Sequence, residues 1–590
     1  MTHARNILFS MAAISFLFSQ AVAQPTSDAN AALQSIIDDH WAWNLERSPV
    51  FATTIGVRDY DEFLPSPTLG AYDADIEKQQ EFAERLEAID VAALDDDAKI
   101  NRDLLLAGVN NELAGAAFGG KFLLMTNRYG PHTEVTRLPS RLPFFTKADY
   151  ESYVTRLGKI PAYLGEATET LRAGLAAGWT QPCKPMENTE GAIRFHLVDD
   201  IAQSVFVTPF ETKPSSIKSR DWHRLKKKAE AIISKDVLPA FSAYADFYRD
   251  EYRPGCRADI GASTFPDGAA YYEHRARVFT TIDLPTDEIH QLGLSEVARI
   301  RKEMDAVIKK VEFEGDFKAF QEFLRTDPQF YAKTEDELVA VTSTISKKMD
   351  GELPKLFTRL PRMPYTVKPV PSDIAEGTTT AYYEPPAGDG SRAGVYRINT
   401  SLLDQRPLFE LEALSLHEAV PGHHFQIALA QELTLPEFRK YGGFTAFTEG
   451  WGLYAESLGL DVGFYEDPYQ NFGRLSYEMW RACRLVVDTG MHAKGWTRQE
   501  AIDFMAENTA LSTHNITSEI DRYITWPGQA LAYKIGELKM QELRQRAASK
   551  LGEEFDLRRF HDTLLENGGI PLSLLETKID QWIEDELAAR

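Results

Sequence analysis

The sequence predicts a mainly α fold: a large helical body in two lobes around a deep cleft, carrying a small β insert. Three observations predict it. Apolar residues recur at three- and four-residue spacing among charges over most of the 590 residues. One stretch, Met363 to Thr400, breaks that rhythm and is rich in Pro, Gly, Thr and Tyr. No repeat of fixed period and no low-complexity tract interrupts the pattern.

The chain opens with a short positive start at Arg5, an apolar stretch from Ile7 to Phe18, and Ala21-Val22-Ala23, the small-x-small pattern a signal peptidase cuts. Residues 1–23 are therefore read as a signal peptide, cleaved after Ala23, that directs the protein to the periplasm or outside. The apolar run falls short of the ~20 residues a bilayer span requires, so stable membrane insertion is not expected. Residues 24–362 follow as an N-terminal helical lobe. Its helices are expected at Ala31 to Arg47, Asp73 to Ala88, Lys147 to Ala176, Arg220 to Tyr248, Asp287 to Val311 and Thr334 to Gly351. The basic run Arg224 to Lys228 reads as a solvated helix face.

Residues 363–590 form the second lobe. It opens with the strand insert, 363–400, in which Thr378 to Glu384 and Gly394 to Thr400 read as strands joined by the turn Gly388-Asp389-Gly390. After Arg406-Pro407 the helical pattern returns, with stops near Gly442-Gly443, Gly495, Pro527-Gly528 and Gly568-Gly569.

Charge narrows the partners. With 64 basic and 88 acidic residues the net charge is -24, which repels nucleic acid and anionic lipid and favours soluble small-molecule or peptide partners. Three cysteines are too few for a disulfide scaffold, but an oxidising compartment permits one bridge. Cys183 and Cys256 lie in Pro-containing loops and can pair; Cys483, in a helical pattern, reads as a buried inert thiol.

The chemistry concentrates at His417-Glu418-Ala419-Val420-Pro421-Gly422-His423-His424, where three of the 13 histidines fall within eight residues. A helix can hold a metal through His-Glu-x-x-His because residues four apart share a face. Here Pro421 stands at the fourth position. In a straight helix His423 points away from His417, and His424 lies ~10 Å along the axis. Pro-Gly is where extra residues can be looped out, returning one histidine to the metal. Which one it returns, His423 or His424, stays open on spacing alone.

A third ligand is expected from Thr448 to Glu456, where Glu449 and Glu456 share a helical face and Gly450 and Gly452 permit close backbone approach. Glu449 is the expected ligand, with Glu456 orienting a ligand histidine through a hydrogen bond. The expected cofactor is one Zn2+. Two histidines and a carboxylate also describe a non-haem iron oxygenase, and a catalytically inactive periplasmic peptide-binding protein is a further alternative.

His417 to Gln426, Glu449 to Glu456, Asp488-Thr489-Gly490-Met491-His492 with Gly495-Trp496, and Pro527 to Gly536 together resemble the bacterial domain-of-unknown-function family 885 (DUF 885). Ile289 to Val297 and Pro266-Asp267-Gly268 extend the resemblance over nearly the whole mature chain. That family is in turn similar to helical zinc peptidases with a glutamate third ligand: carboxypeptidase Taq, thimet oligopeptidase and angiotensin-converting enzyme. The resemblance implies a zinc-peptidase-like body and hydrolysis of peptides outside the cytoplasm. It selects His423 as second ligand, because a glycine precedes that histidine in those relatives, and Glu449 as third.

Glu418 would then be the general base, and a downstream tyrosine or histidine would stabilise the oxyanion. Tyr533 is the first candidate, with Tyr523, His492 and His514 as alternatives. Arg481, Arg484 and Lys534 are candidates for a substrate's terminal carboxylate. Gly394 to Thr400 is a candidate ledge for an extended substrate.

Overall fold

The computed structural model describes residues 28–372, 374–375 and 378–589. The signal-peptide segment expected at residues 1–23 lies outside them. The described chain is mainly helical with one three-stranded sheet. Among the described residues no helix is long and apolar enough to cross a membrane.

The N-terminal helices begin with Asp28–Arg47 and Leu69–Glu87. The segment expected as one helix from Lys147 is two, Lys147–Leu157 and Ile160–Ala177, because Pro161 opens the second, where its missing N–H costs no helical bond. The run from Arg220 to Tyr248 spans Ser219–Ile232 and Leu238–Phe247 with a π turn, Ile233–Val237, between them. The first two helices form a small core of their own with residues up to Val109, and the later ones enclose a core drawn from residues between Val50 and Tyr252. Cys183 and Cys256 form a disulfide with their Cα atoms 5.3 Å apart, closing a separation of 73 residues.

A second, larger core takes its residues from Ala276 to Ile583, with Leu104 the one earlier contributor. Its helices, numbered in chain order, are α1 Thr286–Lys310, α2 Glu335–Leu356, α3 Leu411–Glu418, α4 His423–Glu432, α5 Thr445–Leu458, α6 Pro468–Ala493, α7 Thr513–Thr525 and α8 Ala532–Leu551. α6 is buried along almost its whole length, and Cys483 on it is a buried free thiol. α5 and α8 cross where glycine faces glycine: a Cβ on Gly450 would lie 2.5 Å from Gly536 Cα, and one on Gly536 would lie 1.9 Å from the Ala446 carbonyl oxygen. The two backbones meet directly there, which brings the start of α8 beside the middle of α5.

The insert holds three strands, β1 Tyr365–Pro369, β2 Ala381–Glu384 and β3 Gly394–Ile398. β3 is central, parallel to β1 and antiparallel to β2. The sequence pattern passes over β1 because prolines flank it, yet as an edge strand it tolerates them. The central place of β3 also overturns the expectation that Gly394 to Thr400 is a ledge: both its edges are paired. Among the described residues β2 is paired along one edge only.

Candidate functional site

α3 ends at Glu418, and Ala419 leaves the helical region with φ -98° and ψ -110°. Four residues, 419–422, make the joint before α4 resumes at His423. Pro421 offers no N–H, and its carbonyl accepts from Trp451 Nε1 at 2.8 Å. Gly422 passes so close to α3 that a Cβ would sit 1.9 Å from the His417 carbonyl oxygen. The His424 amide donates to the Ala419 carbonyl at 3.0 Å, so the new helix is stapled to the end of the old one.

This joint turns the two neighbouring histidines in opposite directions. The rings of His417 and His423 meet nearly at right angles, 84°, with centroids 4.7 Å apart. His424 instead faces the β insert, with Nδ1 2.8 Å from the Tyr383 hydroxyl and Nε2 3.0 Å from the Met363 carbonyl oxygen. From α5, Glu449 Oε2 approaches His423 Nε2 to 3.3 Å and His417 Nε2 to 3.8 Å. One ligand atom from each of His417, His423 and Glu449 lies within 4.8 Å of the others, a group able to hold a metal ion.

Glu456, two helical turns beyond Glu449, accepts from His417 Nδ1 at 2.8 Å. That bond fixes the ring's orientation, leaving Nε2 to face Glu449. Arg481 Nη2 lies 3.3 Å from the same Glu456 oxygen. α5 approaches closely enough that a Cβ on Gly452 would lie 2.7 Å from the His417 ring. Burial alone would lower the affinity of His417 for a proton, but Glu449 and Glu456 outweigh it and hold the pKa at about 9. Burial works against the Glu449 charge too, yet the two histidines keep that carboxyl well below the ordinary range.

Glu418 is buried beside this group. Desolvation raises its pKa, opposed by the charges of His417 and His423 and reinforced by Glu449. Its carboxylate therefore has a stronger pull on protons than an exposed one. Tyr533, near the start of α8, stacks toward His417 with ring centroids 6.4 Å apart. Its hydroxyl lies 3.4 Å from Gln529 Nε2, and burial raises its pKa, so it remains a donor at neutral pH.

The other residues singled out by sequence do not join the His417, His423 and Glu449 group. Tyr523 spends its hydroxyl on Glu519, 2.7 Å away, while accepting from Trp480 Nε1 and Arg484 Nε at 2.9 and 2.7 Å. His492 is wholly buried between the Ala262 amide and the Tyr523 carbonyl, a packing tie rather than a reactive group. Lys534 is also fully buried, with Glu537, Glu478 and Glu296 at 2.8, 2.9 and 3.2 Å, so it has no free charge for a substrate. Arg481 is taken up by Glu456 and the Tyr477 carbonyl. Arg484 lies over the Tyr533 ring, 4.2 Å from its centroid, and His514 stands exposed on the wall of a large cavity.

That cavity, about 2070 Å³, reaches Thr448 and Glu449 on α5, Gln426 on α4, and Tyr382 to Glu384 on β2. Drug-sized pockets measure about 300–1,000 Å³, so this one has room for an oligopeptide. Arg128, from a loop of the N-terminal part with no sequence motif to betray it, also lines it.

The profile of the family described as a bacterial protein of unknown function, DUF885, matches residues 49–579. A solved protein of Colwellia psychrerythraea, provisionally called a lipoprotein, superposes with a TM-score of 0.90 at 28% identity, covering 95% of this chain and 100% of its own. A second, from Shewanella oneidensis, also provisionally a lipoprotein and of unknown function, has the same fold: TM-score 0.68 at 18% identity, with 93% and 99% covered. No curated protein matches the chain.

Proposed function

Because the chain belongs to the bacterial family DUF885, whose function is unassigned, we propose its activity from the site itself: zinc-dependent hydrolysis of peptide bonds in short peptides, outside the cytoplasm. The observation that carries this reading is the meeting of His417, His423 and Glu449 beside a buried carboxylate, Glu418, whose pKa is raised. Two imidazole nitrogens and one carboxylate oxygen fit zinc, and Glu456 supplies the outer hydrogen bond that ligand histidines usually have.

Zinc bound by these residues would supply a water of pKa ~7 and polarise a carbonyl oxygen. Glu418 takes the proton of the attacking water and passes it to the leaving amine. Tyr533 would donate to the developing oxyanion, its ring held by Arg484 and its hydroxyl by Gln529. β2, with one edge unpaired and its residues on the cavity wall, replaces β3 as the strand beside which an extended substrate would lie.

The Cys183–Cys256 disulfide supports an oxidising compartment, as do the provisional lipoprotein descriptions of the two structural neighbours. Metal analysis of the purified protein tests the reading. One zinc per chain, with peptide cleavage abolished by chelation and restored by zinc, is expected. Stoichiometric iron with oxygen-dependent turnover would replace hydrolysis with oxidation; tight peptide binding without any cleavage by the zinc-loaded protein would leave a binding protein.

A further inference from the structure

Behind the cavity wall, next to Tyr533, the protein buries a surplus of positive charge. Glu519 on α7 is 1% exposed and accepts from three guanidinium groups: Arg128 Nη2 at 3.0 Å, Arg484 Nη2 at 2.9 Å and Arg522 Nη2 at 3.1 Å. The other bonds of these arginines go to neutral groups. Arg128 also meets the Ser518 hydroxyl, Arg484 the Tyr523 hydroxyl, and Arg522 the Gln529 side-chain oxygen. Of the nearby acids, Asp521 takes Arg498 through both oxygens, while Asp488 takes the Tyr272 hydroxyl and the Gly528 amide on one oxygen, and burial raises its pKa to about 7 against the opposing charge of Arg522.

Three cations thus share one anion. One nitrogen on each, Arg128 Nε, Arg484 Nη1 and Arg522 Nε, is buried with no acceptor among the described residues. An excess of cations in a desolvated place is costly, and an anion brought beside it offsets part of that cost. Arg128 is the member that reaches the cavity, with its side chain 14% exposed. The chain Arg522–Gln529–Tyr533 and the stacking of Arg484 on Tyr533 tie the cluster to the candidate oxyanion donor.

We propose that this cluster, entered through Arg128, is an anion subsite that takes the terminal carboxylate of a short peptide, so that cleavage is counted from the C-terminus. The inference rests on the peptidase reading for its chemistry but not for its binding. It replaces Lys534, ringed by three glutamates, and Arg481, held against Glu456, with Arg128, and it retains Arg484 as a supporting charge.

The test uses the full-length Glu418→Gln protein loaded with zinc, so that ligands bind without being consumed. Three tripeptide pools are titrated by calorimetry: free acids, C-terminal amides of the same sequences, and amides with Glu in the last place. The expected result is at least tenfold tighter binding of the free acids than of either amide pool. Adding Arg128→Gln should bring the free acids to within about twofold of the amides, and Arg128→Lys should restore part of the preference. Melting temperature and zinc content monitor whether each variant stays folded and loaded. Equal binding of acids and amides, equal binding of Glu-ending amides, or a preference that survives Arg128→Gln in a folded protein would each overturn the proposal. Absence of cleavage by native protein that still prefers free acids would remove the hydrolytic reading and leave the subsite standing.

Discussion

At the scale of single residues, what decides the site is which way two adjacent histidines turn. His417, Glu418 and Glu449 were legible from residue type and spacing; the choice between His423 and His424 was not, because it depends on the dihedrals of residues 419–422. The structure aims His423 at Glu449 and His424 at Tyr383 and Met363. His423→Ala is therefore expected to lose stoichiometric zinc, measured by plasma mass spectrometry after dialysis. His424→Ala should keep zinc but melt lower, by the ~1–3 kcal/mol of a buried hydroxyl partner left unpaired. Glu456→Ala, which removes the bond to His417 Nδ1, should weaken zinc about 10–100-fold in a competition titration with a chelator while leaving the ligand set intact. Arg128 and Glu519 escaped sequence reasoning for a different reason: lone charged residues carry no pattern, and only the fold shows that three arginines share one carboxylate.

At the scale of elements, long amphipathic helices were legible and their joints were not. Thr286–Lys310 and Glu335–Leu356 begin within one residue of where the apolar spacing places them, and the second runs five residues further because Pro354 does not end it. The break near Gly158 and Lys159 was hidden by continuing apolar periodicity on both sides. Strand order was beyond the sequence, since pairing partners leave no local mark on an insert this short. One crossing is expected to couple packing to activity. Gly536→Ala forces a methyl group against the Ala446 carbonyl, so α8 must shift relative to α5, at about 1–3 kcal/mol of stability. Because α8 carries Tyr533, turnover should drop through kcat more than through KM in steady-state assays of peptide cleavage, with zinc content unchanged.

At the scale of the molecule, the acidic composition hides a local reversal: the guanidinium cluster sits inside a chain of net charge -24. The cluster makes an acid-stability prediction with a definite sign. Burial would raise the Glu519 pKa, but Arg522, Arg128 and Arg484 hold it well below the ordinary 4.5. Its charged form therefore stabilises the fold above that value, and the contribution is lost as pH falls below it. Native protein should lose melting temperature on acidification through this range. Glu519→Gln should start lower, by ~3–5 kcal/mol for a broken buried pair, and fall less steeply.

We propose that buried Glu418, beside a zinc ion held by His417, His423 and Glu449, drives peptide hydrolysis. The most direct test is new amine released from a defined tripeptide pool by zinc-loaded native protein and by zinc-loaded Glu418→Gln in parallel. Release by the native protein is expected, with a rate about 10²–10⁴-fold lower for the variant at equal zinc content. Equal rates in the two proteins, or no release by native protein carrying one zinc per chain, would contradict it.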